Sequence, residues 1–311
     1  MRGSLFYIYL GFVYTYCCVI KKNVVSLWKI YIRMRRRVIL ISICLLFSLV
    51  LKAERGKDSL FSWSANASMT SNYIWRGLYC GGPSLQVDAT VSYAGVFANV
   101  WWNVGTTNWT FEGFNPEVDI AIGFSRWGLS VYYLHCFYFD RYADGRVSRF
   151  FDFKNHAPGG GGTTGEWRVS YRISDRLPLS CLVACRTFSR DGYILNGELK
   201  RAYSTYIELG YDFDLTHDWR LDARVGITPA KSLYTGYQGD FAVTLVGLKL
   251  QKQWVLDRFS GSKTSGMVVR AFANVMLQPW KVNKHNLVMP ISDASSQKLN
   301  LAVGCNVEIG G

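Results

Sequence analysis

The sequence predicts an all-β chain: a single closed antiparallel transmembrane β-barrel of about twelve strands, with short connections at one end and long loops at the other. Three observations predict it. Beyond residue 59, apolar and polar side chains alternate in segment after segment, and no apolar run reaches the length of a membrane-spanning helix. The connections between these segments alternate long and short. Tryptophans gather near the two ends of the segments.

A period of two places successive side chains on opposite faces of a strand. In 118–126, Val118, Ile120, Ile122 and Phe124 alternate with Asp119, Ala121, Gly123 and Ser125. In 166–173, Trp167, Val169, Tyr171 and Ile173 alternate with Glu166, Arg168, Ser170 and Arg172. In 219–227, Trp219, Leu221, Ala223, Val225 and Ile227 alternate with Arg220, Asp222, Arg224 and Gly226. The same reading gives strands over 60–76, 84–93, 95–104, 117–126, 128–138, 165–173, 179–188, 202–213, 218–227, 239–252, 266–277 and 297–309. Two of these, 128–138 and 239–252, alternate imperfectly, and a bulge near Val246 would shift the face of the second.

The short connections are Ala94-Gly95, the turn at Trp127, 174–178, 214–217 and the longer 253–265. The long ones are the loop after the first strand, 105–116, 139–164, 189–201, 228–238 and 278–296. Outer-membrane barrels have short periplasmic turns and long extracellular loops, and an even strand count returns both termini to the periplasm. Trp63, Trp127, Trp219 and Trp254 fall near the short-turn end, and Trp75, Trp102, Trp109, Trp167 and Trp280 near the long-loop end. Such bands suit the two membrane interfaces. A soluble sandwich would alternate equally well but has no reason to segregate its loops and tryptophans.

The net charge of +13 suggests nucleic acid, but its distribution argues otherwise. Residues 1–53 hold nine Lys or Arg and no acid, which leaves +4 to the rest and no basic stripe for phosphate. Arg35-Arg36-Arg37 followed by the apolar run Val38–Leu51 reads as a signal peptide over 34–53, with Met34 as the start and 1–33 as an extension; a cytoplasmic extension with Val38–Leu51 as an anchor is the rival. The barrel then occupies 54–311. Of eight cysteines, Cys80, Cys136, Cys181, Cys185 and Cys305 remain, an odd and scattered set that is no disulfide framework. Cys181, Cys185 and Cys305 fall on the apolar face, where a cysteine acts as a small apolar side chain rather than a metal ligand.

The polar face holds the functional candidates. Asp88, Glu117, Asp119, Glu166, Arg168, Arg172, Glu208, Asp212, Arg220, Asp222, Arg224 and Arg270 would line a wet lumen. Rings of charge bias which ions pass, although opposite charges on neighbouring strands also pair structurally. The run Gly159–Gly162 lacks the Lys-Ser or Lys-Thr of a phosphate-binding loop and reads as a flexible tip. Asn66-Ala67-Ser68 and Asn108-Trp109-Thr110 match the glycosylation pattern, a common chance match. Of His135, His156, His217 and His285, only His156 has a nucleophile and a carboxylate nearby in sequence, Ser148 and Asp152, with nothing to fix their geometry. No catalytic residue, metal site or cofactor is implied.

The stretch Ser71-Asn72-Tyr73-Ile74-Trp75-Arg76-Gly77, followed by Gly82-Pro83-Ser84-Leu85-Gln86, resembles the opening of the TorF-type porins. Those begin with a Ser-Asp-Tyr-x-Phe-Arg-Gly strand end and a Pro-x-x-Gln start to the second strand. Gly95-Val96-Phe97-Ala98 and Glu117-Val118-Asp119 also fit, so the resemblance covers residues 62–135 and fades beyond them. It implies an outer-membrane barrel acting as a porin-like channel, with lipid around it, small polar solutes or ions inside it, and no catalytic residues. The ending Glu308-Ile309-Gly310-Gly311 departs from the terminal aromatic such barrels carry. Loop 139–164 is a candidate plug. A barrel-anchored receptor or adhesin acting through the long loops is the alternative function, an enzyme the least favoured, and the oligomeric state stays open.

Overall fold

The computed structural model describes residues 60–105, 116–139, 149–151, 162–188, 191–256, 266–280 and 298–311. Twelve strands in this set close into one antiparallel barrel. In chain order they are β1 (Phe61–Thr70), β4 (Ser84–Tyr93), β5 (Val96–Gly105), β6 (Glu117–Arg126), β7 (Leu129–Tyr138), β8 (Thr163–Arg172), β9 (Leu179–Phe188), β12 (Thr205–Asp214), β13 (Trp219–Thr228), β14 (Ala242–Leu256), β15 (Gly266–Leu277) and β16 (Leu299–Gly310). Two small hairpins lie off the wall, β2 (Tyr73–Trp75) with β3 (Leu78–Gly81), and β10 (Gly192–Leu195) with β11 (Glu198–Arg201). The ring closes where β1 meets β16, from Ser64 opposite Gly310 to Thr70 opposite Gly304. Closure leaves no wall strand at an edge, which lipid demands of any spanning sheet.

Nine of the twelve wall strands are ten residues long. Ten residues rise about 33 Å along the strand, and a tilt of about 40° makes that an apolar band of roughly 25 Å. The side chains match. Val91, Val100, Trp102, Ile122, Trp167, Val169, Leu209, Val225, Leu248, Val275, Leu301 and Val303 all stand exposed on the outside. Charged residues away from the strand ends, such as Asp119, Arg168, Glu208, Asp222 and Lys249, point inward. This inverts a soluble barrel, whose apolar side chains fill the interior, and it suits lipid outside with water inside. Trp127, 78% exposed, stands with Trp219 and Trp254 at the short-turn end, and Trp102 and Trp167 stand at the other.

Turn chemistry sets the register. Among the described residues, four hairpins turn on two residues, both at positive φ: Arg76-Gly77, Ala94-Gly95, Trp127-Gly128 and Asn196-Gly197. Paired positive φ is the type I′ turn, whose twist matches that of the strands it joins. Glycine at the second position is the common element, since it adopts this conformation without steric cost.

The structure corrects several expectations in detail. The first strand was expected over 60–76, but it ends at Thr70. There the chain leaves the wall: Ser71 N–H donates to Val303 O (2.8 Å), Val303 N–H donates to Ser71 Oγ (3.0 Å) and Asn72 Nδ2 donates to Leu301 O (2.6 Å). Trp75 therefore belongs inside the barrel and not to an interfacial band. The bulge expected near Val246 lies at Thr244, which is skipped as Gly226 pairs with Leu245 and Ile227 with Val243. The connection expected over 253–265 shortens to 257–265 because β14 runs on to Leu256. Asn66, the first glycosylation match, faces the lumen and donates to Asp88 Oδ2 at 3.0 Å. Residues 1–59, Asn108-Trp109-Thr110, Ser148, Asp152, His156 and His285 lie outside the described residues, as does nearly all of loop 139–164.

Candidate functional site

The β2–β3 hairpin occupies the lumen. Its contacts reach strands all round the ring, which only a segment inside the ring can do. Tyr73 packs on Trp101 of β5 (ring centroids 5.6 Å) and its hydroxyl donates to Glu117 Oε2 of β6 (3.1 Å). Asn300 Nδ2 of β16 donates to Gly77 O (3.2 Å). A side chain at Gly77 would collide with Thr244 O of β14, so this position needs glycine for space as well as for its φ of +84°. These partners lie toward the long-loop end of their strands, so the hairpin sits in that mouth.

Arg76, at the tip, is the anchor. Its NH1 and NH2 donate to Glu166 Oε2 and Oε1 on β8, both at 2.8 Å. NH1 also donates to the Tyr234 hydroxyl. The guanidinium carbon lies 4.6 Å from the Trp75 ring centre and 4.5 Å from that of Tyr206, close enough for cation–π attraction. Tyr234 comes from a short 3-10 turn, η1 (Leu233–Thr235), in the β13–β14 loop, and is fully buried. Burial pushes its phenol above the ordinary value, with the Arg76 charge opposing, so it serves as a neutral hydroxyl. Leu233 N–H donates to Ser204 Oγ (2.7 Å), and Asp191 accepts from Ser204 N–H (2.7 Å), which ties this loop to the one before β12. Hairpin and η1 thus form one inward-folded plug.

Every sequence-predicted lining residue lies on the inward face, and the structure sorts them into three groups. Around the plug, Glu166 takes both Arg76 and Arg168. Toward the short-turn end, Asp212 takes three arginines: Arg172, Arg220 (2.9 Å) and Arg224 (2.7 Å). Arg220 also meets Asp222 (3.4 Å), Arg224 meets Glu208 (3.8 Å), and Arg270 meets Glu308 (2.6 Å). The third group is Asp88, Glu117 and Asp119 on β4 and β6, which form no ion pair among the described residues. In a ring of twelve, a strand six places round lies opposite, so β4 faces β12 and β6 faces β14. Asp88 therefore confronts the wall that carries Asp212 and its arginines, whereas Glu117 and Asp119 confront β14, whose inward charge is Lys249. Sequence reasoning missed Tyr73, Trp75, Arg76, Arg186, Tyr206 and Tyr234. The Arg76-Gly77 pair carried the same turn signal as Ala94-Gly95.

The plug divides the remaining space. A cavity of about 1020 Å³ follows β4–β8, from Ser92, Gly95 and Ser130 at the short-turn end to Asn103, Glu117 and Tyr138 at the other. Asp88, Thr90, Asn99, Asp119 and Arg168 line it, with Tyr73 and Cys80 of the hairpin on its inner side. A smaller cavity of about 290 Å³ lies against β4, β1 and β14–β16, lined by amides such as Asn66, Gln86, Asn274 and Asn306, together with Lys249.

No protein-family description and no curated protein sequence matches the chain. Among solved structures it is similar to a NanC porin, at 10% identity over 79% of this chain and 98% of that one, with a TM-score of 0.37. It is also similar to the KdgM porin, at 7% identity over 80% and 97%, with a TM-score of 0.33. A third is the translocator domain of autotransporter NalP from Neisseria meningitidis, at 12% identity over 87% and 94%, with a TM-score of 0.34. The fold rests on the strand pairing described above rather than on these scores.

Proposed function

We propose that the chain is a bacterial outer-membrane channel of the porin kind, through which small polar solutes or ions pass along the β4–β8 wall beside the inward hairpin. The larger cavity carries this reading: it extends from one end of the wall to the other and is lined at every level by hydroxyls, amides or charges. Conduction requires sites that attract a solute enough to admit it and weakly enough to release it, and a series of short polar side chains suits that. Asp88, Glu117 and Asp119 form no ion pair among the described residues, and their charge on the cavity wall biases which ions enter. The resemblance of residues 62–135 to TorF-type porins supports the same reading and suggests the family. The signal peptide expected over 34–53 supports export to the outer membrane.

Single-channel conductance of the folded chain in a planar bilayer tests this, with ion selectivity read from a salt gradient. Discrete steps of reproducible size are the expected result. A heat-modifiable barrel that inserts and never conducts would overturn it.

A further inference from the structure

The β6–β7 register brings three metal-ligating side chains together on the wall of the larger cavity. Glu117 and Asp119 are two residues apart on β6 and share its inward face, and Cys136 of β7 pairs directly across from Asp119. One ligand atom from each, two carboxylate oxygens and the Cys136 sulfur, all lie within 4.8 Å of one another. Glu117 and Cys136 are buried, at 7% and 5% exposed. A second observation points to a missing partner: Asp119 Oδ1 is shut off from solvent and accepts no hydrogen bond. A buried carboxylate oxygen without a donor is costly, and a cation would satisfy it.

We propose that Glu117, Asp119 and Cys136 form a binding site for a divalent transition-metal ion of the Zn²⁺ class, facing the channel cavity. The donor set selects the ion. Carboxylates alone would suit Ca²⁺ or Mg²⁺, but a thiolate shifts the preference to Zn²⁺ and its relatives. Three protein ligands leave a fourth, tetrahedral position for water or a passing group. The surroundings hold the ligands in place: the Tyr73 hydroxyl, from the hairpin, donates to Glu117 Oε2 at 3.1 Å. Such outer partners orient metal ligands. Binding releases the Cys136 thiol proton to solvent, which leaves the thiolate on the metal.

The test uses the folded full-length chain in detergent with Co²⁺ as the probe, in a variant that keeps Cys136 as its sole cysteine. The expected result is a thiolate-to-cobalt charge-transfer absorption that saturates at one equivalent, is abolished by Cys136→Ser, and needs about tenfold or more Co²⁺ in Asp119→Asn. Absence of the band from folded protein, or its survival in Cys136→Ser, overturns the proposal. Should either substitution prevent folding, Cd-113 resonance of the single-cysteine chain decides. A one-thiolate signal supports the site, and an all-oxygen signal or no bound signal overturns it. None of these readings needs a conducting pore, so the site and the channel stand or fall separately.

Discussion

Arg76 and Glu166, ninety residues apart, meet in a two-point ion pair inside the barrel, with NH1 on Oε2 and NH2 on Oε1, both at 2.8 Å and both side chains buried. The pair fixes the hairpin tip to the wall and so sets the width of the long-loop mouth. Replacing Arg76 with Met leaves Glu166 with Arg168 alone. The expected loss is about 2–3 kcal/mol, short of that for a fully orphaned buried charge. Urea unfolding in detergent measures it. Conductance should rise as the hairpin loosens; an unchanged step size would show that the hairpin is no constriction.

Glycine positions separate backbone strain from lack of space. Gly77 and Gly197 both have positive φ, near +80°, but a side chain at Gly77 meets Thr244 O while one at Gly197 meets nothing within 4 Å. Gly197→Ala should cost about 1 kcal/mol, the penalty of the left-handed conformation. Gly77→Ala should cost clearly more and widen the pore. Equal melting shifts for the two would contradict the docked position of the hairpin.

Asp212 is the hub for Arg172, Arg220 and Arg224. Asp212→Asn leaves three guanidiniums without their shared counter-charge, so the reversal potential in a salt gradient should move toward anions. Arg220→Glu combined with Arg224→Glu should move it toward cations. Two unchanged potentials would make this cluster structural only.

Ile122 points outward at mid-strand, 60% exposed, while Ser170 lines the cavity. Ile122→Arg should cost about 2–4 kcal/mol in a bilayer, the penalty for arginine at the membrane midplane. Ser170→Arg should cost much less and should lower conductance. Folding titrations in lipid vesicles compare the two; equal costs would argue against a lipid-facing outer surface.

Cysteines report the same division without altering charge. Cys80 is exposed toward the cavity, and Cys305 is exposed on the outer face opposite Met69 and Ala271. A charged, membrane-impermeant thiol reagent should modify Cys80 in bilayer-embedded protein and spare Cys305. Labelling of Cys305 would place the outer face in water.

Much of this was legible in the sequence. Period-two alternation locates every wall strand but the first to within a few residues, because one face meets apolar surroundings and the other polar, and that contrast is written locally. It also gave the inward orientation of Asp212, Arg224 and Glu166. It did not give their partners. Arg224 reaches Asp212 through the β12–β13 register, and Glu166 meets Arg76 only because a hairpin folds inward, and no local pattern encodes either. Tyr73 and Trp75 extend the alternation of β1, so the sequence predicts wall where the hairpin stands. A strand in the lumen and a strand in the wall share one period, so the pattern could not tell them apart.

The hydrogen bonds from Ser71 and Asn72 to Val303 and Leu301 lie where β16 runs on beyond the end of β1. They join the base of the hairpin to β16, at the seam where the cylinder shuts. Asn300, on the same strand, holds the hairpin tip through Gly77 O. The strand that shuts the cylinder thus also supplies part of the plug's seat, beside its anchor on Glu166 of β8, so the seam and the obstruction share their contacts.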